Sequence, residues 1–318
     1  MAKTTSKELY VPCKDGGCNM SAKFKSGGFK CDLKKLLRKL SEKPRSALQA
    51  KLDIWENPDS GIYERRCPDA ISRYTLGNIG EDKVDSMSLE TIEKKGIEVI
   101  HDLQSIPKVK NIPKIIVVLE SPHVDEYEVK PCKKDEGRNC PCRDYVRPAP
   151  ARGLTGRNIK HYLSRIFDCD EFKTYKIALI NPIQYQCSLG DLKSGLKDEI
   201  FARLIKMPHY KKCFRERFAH VYNPGKDIVV NCCTDKRKNK DIVNECLKSV
   251  MYCKAADERR FCLLEMNHPC VWHFNCAVRR VYCCYGGVRP KNRADYFCQK
   301  DSRAKFQKAI RESLEGEK

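Results

Sequence analysis

The stretch KIIVVLESPH, Lys114 to His123, constrains the fold more than any other part of this sequence. From Lys114 to Leu119 it is apolar and β-branched almost throughout, the pattern of a strand buried on both faces. The run then stops at Glu120-Ser121-Pro122-His123, which sets a carboxylate, a hydroxyl and an imidazole at the carboxyl end of the strand. In an open α/β sheet, ligands bind outside those ends. An ordinary proline turn has the same appearance in isolation. The rest of the chain distinguishes the two.

Three further runs read as strands: Lys176–Ile180, Asp227–Val230 and Phe261–Glu265. They end in Asn181-Pro182, in Asn231, and in Met266-Asn267-His268-Pro269. Helical patterns lie between and after them. Ile159, Tyr162, Leu163, Ile166 and Phe167 form one apolar face behind Gly153, Thr155 and Gly156. Glycines at a helix start let backbone amides approach an anion, which the helix dipole favours. Residues 197–206 read as a second helix, and Val243, Cys246, Leu247 and Val250 mark a third. Phe306, Ile310 and Leu314 mark a closing helix. Alternating strands and helices predict a three-layer α/β/α domain over 113–318, with a central, mostly parallel four-stranded sheet.

Residues 1–112 read as an N-terminal helical, cysteine-containing extension. Asp32 is placed to cap a helix carrying Leu33, Leu36, Leu37 and Leu40. A loop-rich section spans about 57–85, and Leu89, Ile92, Ile100 and Leu103 suggest another helix. The stretch 124–152 carries no convincing element and is long for a loop, which points to a functional or a disordered segment.

The formal charge is +20, from 62 Lys and Arg against 42 Asp and Glu, and favours a polyanionic partner, nucleic acid first. No run approaches the length of a membrane span, and the start MAKTTSKELY has no apolar signal segment. A soluble, cytoplasmic protein without membrane association is expected. Twenty cysteines over 318 residues fall below the density of a disulfide scaffold, so reduced thiols or metal ligands are the expectation. Cys232, Cys246 and Cys262 sit in apolar runs as small buried hydrophobes.

With its strand ends in order, the chain resembles the uracil-DNA glycosylase superfamily over roughly 113–315. Three motifs carry the resemblance: LESPH at 119–123, LINPIQY at 179–185, and HPCVWHF at 268–274. The resemblance implies a glycosylase acting as a monomer on DNA, which flips out a base and hydrolyses its N-glycosidic bond. Glu120 would activate water, with Asp125 and Glu126 as alternative acids; Asn181 would read the base, and His268 would donate to it as it leaves. Ser121, His123, Leu154, Thr155, Gly156 and Arg157 would line the substrate site. Trp272 falls where the superfamily places its wedge residue, although a buried core Trp fits the sequence equally.

The chain departs from the pattern in carrying His123 where Tyr or Gly is common, and no aromatic near Leu154 and Thr155. Those departures and the insert point to a modified base. The superfamily is also similar to bacterial antiphage glycosylases that remove hypermodified cytosines. No cofactor is required for the reaction. A structural zinc ion or iron–sulfur cluster remains open, with Cys13, Cys18, Cys31 and Cys67 as one ligand group and Cys132, Cys140 and Cys142 as another. Two other classes compete: a nuclease holding Mg2+ on Glu120 and Asp125, and a non-catalytic cysteine-rich nucleic-acid-binding module.

Overall fold

The middle strand of the sheet is the stretch with which the sequence reading began. The computed structural model describes residues 28–54, 66–78, 99–102, 111–123, 126, 150–151, 153–167, 170–189, 195–234, 238–254, 260–272 and 278–285. Seven strands form one sheet: β1 (Ala70–Thr75), β2 (Val99–Asp102), β3 (Lys114–Val118), β4 (Lys176–Ile180), β5 (Ile228–Asn231), β6 (Arg260–Met266) and β7 (Val278–Tyr285). Their order is β2-β1-β4-β3-β5-β6-β7, so β3 has three strands on either side. The pairs β4–β3, β3–β5 and β5–β6 are parallel. The pairs β2–β1, β1–β4 and β6–β7 are antiparallel.

The two-residue period of a strand divides the core between the faces of this sheet. Ile116 and Val118 of β3 join Ala178, Ile180, Val229 and Leu263 in one buried cluster. Ile115 and Val117 join Ile177, Leu179, Ile228, Val230, Cys262 and Leu264 in the other. These four side chains of β3, and Lys114 ahead of them, are fully buried. Each such side chain contributes about 1.5–3 kcal/mol of transfer free energy, which is why β3 tolerates no polar residue between Ile115 and Val118.

Helices supply the remaining apolar surface. The first cluster takes Phe29, Leu33 and Leu36 from α1 (Gly28–Leu37) and Leu48 and Leu52 from α2 (Glu42–Ile54). The second takes Ile159, Leu163 and Ile166 from α3 (Leu154–Ile166). Ile200 and Leu204 of α4 (Leu196–Leu204), Phe214 and Phe218 of α5 (Pro208–Val221), and Val243 and Leu247 of α6 (Asn239–Lys254) complete the first. The molecule is a mixed α/β protein.

Several expectations are corrected. The sheet has seven strands rather than four, because antiparallel β1, β2 and β7 extend the parallel set at both edges. The described part of 1–112 is not wholly helical: it supplies two strands to that sheet as well as two helices to its core. Strand β1 falls inside the section read as loop, and β2 takes Ile100 from the segment read as helix. Asp32 lies inside α1 rather than capping it, and its carboxylate is paired with Lys35 at 3.3 Å and His209 at 3.0 Å. Cys232, Cys246 and Cys262 are buried as expected. The closing helix and nearly all of 124–152 lie outside the described residues.

At the amino ends of β3 and β5, two charges are buried together. Lys114 Nζ lies 2.8 Å from Asp227 Oδ2, and neither side chain has any solvent exposure. Asp227 also accepts from the backbone amides of Lys114 at 3.2 Å and Asn223 at 2.8 Å. Burial pulls the Lys114 pKa down and pushes that of Asp227 up to about 6, each against the pull of its partner. Asp227→Ala leaves the buried ammonium without its counter-charge and is expected to cost about 3–5 kcal/mol. Replacing both, as Lys114→Met with Asp227→Leu, is expected to cost much less. Urea denaturation of the two variants measures the difference.

Candidate active site

Backbone hydrogen bonds hold the carboxyl ends of the parallel strands side by side. Leu119 N donates to Ile180 O at 2.9 Å, Ile183 N to Glu120 O at 3.3 Å, and Cys232 N to Val118 O at 2.8 Å. The segments that leave β3, β4 and β5 therefore share one rim. The chain crosses from β3 to β4 on one side, then passes to β5 on the other, so the topology reverses at β3. A crevice at such a reversal is where doubly wound sheets bind ligands.

Glu120 occupies that point with a fully buried side chain. Thr234 Oγ1, beyond β5, donates to Oε1 at 2.8 Å, and Asn239 Nδ2, at the start of α6, donates to the same oxygen at 3.1 Å. Lys197 Nζ, in the first turn of α4, lies 2.6 Å from Oε2. Burial pulls the Lys197 pKa down, but the charge and hydrogen bond of Glu120, joined by Asp198 and Cys233, together outweigh it, so the amine is held above its ordinary value and remains an ammonium. Gly195, left-handed at φ 72°, opens the helix and turns Lys197 onto the rim.

His268 follows β6 and caps a short 3-10 turn, Pro269–Val271. Its Nδ1 accepts from Cys270 N at 3.3 Å, which leaves the proton of the neutral ring on Nε2. Burial lowers its pKa to about 3, with Lys197, His123 and Lys240 adding to the effect. The ring is a neutral donor at physiological pH. Asn158 Nδ2 of α3 donates to Pro269 O at 2.7 Å, which ties this turn to the helix.

Asn181 leaves β4 beside Glu120 and is 1% exposed. Its backbone is fixed: Arg217 Nη2 donates to Asn181 O at 2.9 Å and to Pro182 O at 3.1 Å. Arg217 is itself paired with Asp69 in the core, and Gln184 Nε2 donates to Asp69 Oδ1 at 3.1 Å. Among the described residues, neither side-chain atom of Asn181 has a hydrogen-bond partner. A buried amide left in that state costs about 1–3 kcal/mol per group, a cost removed when a ligand supplies partners.

The structure thus gathers Glu120, Asn181 and His268 at the ends of three adjacent or near-adjacent parallel strands. Ser121 is buried and interacts with Cys187, and His123 is half-buried near His268. At the start of α3, Leu154 is 40% exposed, Thr155 and Arg157 are half-buried, and Gly156 is buried. The wedge expectation for Trp272 is corrected. Trp272 is 1% exposed, packs in the second core cluster and donates from Nε1 to Asn267 O at 2.8 Å. Its neighbour Val271 is 38% exposed.

Of the alternative acids, Glu126 is engaged elsewhere: Oε1 accepts from Ala151 N at 2.8 Å and Oε2 lies 3.8 Å from Cys67 Sγ. Asp125 lies outside the described residues, as do Cys13, Cys18, Cys132, Cys140 and Cys142. Among the described residues Cys31 is exposed, Cys67 is buried, and no group of three or more His, Cys, Asp or Glu is placed to hold a metal ion. No described helix is long and apolar enough to cross a membrane.

Sequence reasoning missed Lys197, Thr234 and Asn239, the partners of Glu120, and Asp69 and Arg217, the clamp behind Asn181. A polar residue shortly after a buried strand was the available signal for Thr234. Lys197 and Arg217 stand in helices where a cation is ordinary, and carry no such signal. Comparisons with protein-family models, curated proteins and solved structures find no match for the chain.

The state of His268 has a consequence for stability. The unfolded chain takes up a proton near pH 6.5, whereas the folded one resists until about pH 3. Folding stability contributed by the neutral ring is therefore present above pH 6.5 and falls as pH drops toward 3. His268→Gln is expected to flatten that part of the acid dependence, measured as melting temperature against pH.

Proposed function

We propose that the protein is a DNA glycosylase that turns a base out of the stack and hydrolyses its N-glycosidic bond. The observation that carries this reading is the convergence of a desolvated carboxylate, an unpartnered buried amide and a neutral imidazole N–H donor. Glycosidic cleavage develops positive charge on the sugar and negative charge on the base. Glu120 would stabilise the first and orient water. The Asn181 amide, with donor and acceptor both unspent, would pair with the edge of the extruded base. His268 Nε2–H would stabilise the base as it departs.

The three-layer architecture of the uracil-DNA glycosylase superfamily belongs to this proposal, supported by the parallel order β4-β3-β5-β6 and by core clusters on both sheet faces. A duplex partner is supported by the +20 charge. His123, beside His268 at the rim, supports a base other than plain uracil, of the modified-cytosine class that defence against phage would require. The nuclease reading is disfavoured by what Glu120 already holds. A Mg2+ ion would have to displace the Lys197 ammonium and two hydrogen-bond donors.

Incubating the protein with modified and unmodified DNAs, and identifying released bases by mass spectrometry, tests the reading. A free base and alkali-labile sites are expected. Glu120→Gln should slow release by roughly 10²–10⁴-fold with duplex binding kept. Asn181→Ala should lose base discrimination as well as rate. Strand cutting that needs Mg2+ and no alkali would establish the nuclease instead.

The exposed Val271 takes the place in this reading that Trp272 cannot. Leu154 stands exposed at the start of the helix that Asn158 ties to the Val271 turn, so both apolar side chains flank the site. An apolar side chain pushed between base pairs offsets unstacking. Val271→Ala is expected to lose several-fold more activity on duplex than on single-stranded substrate, where extrusion costs little. Equal losses on the two substrates would rule out the wedge.

A further inference from the structure

We propose that Lys197 is a positioning residue that holds the Glu120 carboxylate charged and aimed for excision, an inference that rests on the glycosylase reading. The geometry carries it. Glu120 has no solvent-exposed side-chain surface, and its Oε1 is served by two neutral donors, Thr234 Oγ1 and Asn239 Nδ2. Among the described residues, the cation within ion-pairing distance is Lys197, 2.6 Å from Oε2. Neutral donors orient a carboxylate, but an opposite charge is what compensates its removal from water.

The other titratable groups facing this carboxylate do not replace Lys197. From the β4 exit, Cys187 is pushed up to about 12 by burial, and from the β5 exit Cys233 is raised further by the same cause. Both thiols are neutral. From the β6 exit, Cys270 is raised by burial and His268 is neutral. From α6, the Lys240 ammonium donates to Met266 O at 2.8 Å. His123, in the loop of Glu120 itself, acts on His268. Asp198, beside Lys197 in α4, adds negative charge and reinforces the ammonium. Among the described residues, the counter-charge to Glu120 therefore comes from Lys197.

The same pair decides what Lys197 does not do. An amine attacks a sugar carbon only through a free lone pair, and Glu120 keeps this one protonated. Lys197 acts through Glu120 rather than on the substrate. Its side chain is 28% exposed at the rim, so it can be replaced without opening the core.

The test combines kinetics with stability in Lys197→Met, Lys197→Arg, Glu120→Gln and the Glu120→Gln/Lys197→Met double variant. Lys197→Met should lower kcat for base release at neutral pH by roughly 10–100-fold, with KM little changed. Its acid limb should move to higher pH by about one unit or more, because an unpaired buried carboxylate holds its proton longer. Lys197→Arg should restore most of the rate and the original limb.

Stability supplies a readout independent of turnover. In Lys197→Met the buried carboxylate lacks its counter-charge, so the variant loses stability as pH rises and the charged form has to be buried. Melting at pH 5 and pH 8 should show a deficit that grows with pH and is relieved in the double variant. Equal melting of single and double variants at pH 8, or an unshifted acid limb, overturns the proposal. So does a borohydride-trapped adduct between an abasic-site duplex and Lys197, which would make the amine a nucleophile. If the parent releases no base yet the melting cycle shows coupling, the glycosylase reading is what fails, and the ion pair stands.

Discussion

A carboxylate with no solvent-exposed surface at the end of the central strand requires a full set of partners, and that requirement organises the rim of the sheet. Glu120 takes one partner from the β5 exit, one from the start of α6 and one from the first turn of α4. Each contact fixes an otherwise independent connection against β3. The ends of the sheet are alike in this respect, since Lys114 and Asp227 form a buried pair where β3 and β5 begin. The two pairs differ in access. The lower one is sealed on both sides, whereas Lys197 retains exposure at the rim. A sealed pair serves register between strands; a pair with one open member sits where solvent and ligand reach it.

Behind Asn181 a second network does a different job. Asp69, just ahead of β1, holds Arg217 of α5, and Arg217 holds the carbonyls of Asn181 and Pro182. Gln184 closes the network by donating to Asp69. The amino-terminal segment thus reaches the site through buried polar contacts as well as through the pairing of β1 with β4. Because the backbone of Asn181 is anchored by its carbonyl, its side chain need not spend a hydrogen bond on the fold. Among the described residues that amide has no hydrogen-bond partner, and in the proposed reaction it is preorganised for the base.

The sequence made the centre of this structure legible and its edges obscure, for a physical reason. Strands β3, β4, β5 and β6 are covered on both faces, so their apolar runs are nearly continuous and end abruptly at polar residues. Glu120, Asn181 and His268 were found by that change from apolar to polar. The outer antiparallel strands lack the signal. The AISRYT of β1 and the VRRVYCCY of β7 mix charge with apolar residues and pair on antiparallel partners. Trp272 illustrates the complementary limit. A large aromatic after a strand reads the same whether it faces solvent or core, and its burial in the second core cluster with the hydrogen bond from Nε1 to Asn267 O distinguishes its place. Partners contributed by distant helices, Lys197 and Arg217, depend on tertiary packing that no local pattern encodes.

The distribution of charge around the rim also bears on the kind of chemistry that fits it. A positively charged imidazole there would stand against Lys197 and Lys240, and burial with those cations keeps His268 neutral instead. A neutral N–H donor stabilises a developing anion without drawing the proton away in the resting state, which suits a base that leaves as an anion. Glu120 and Lys197 together carry no net charge, so their field is that of a short dipole. In the proposed reaction the negative end of that dipole is the group presented to a sugar on which positive charge develops. The site is then polarised before substrate arrives, with its hydrogen-bonding cost already met by Thr234, Asn239 and Lys197 rather than by rearrangement during the reaction.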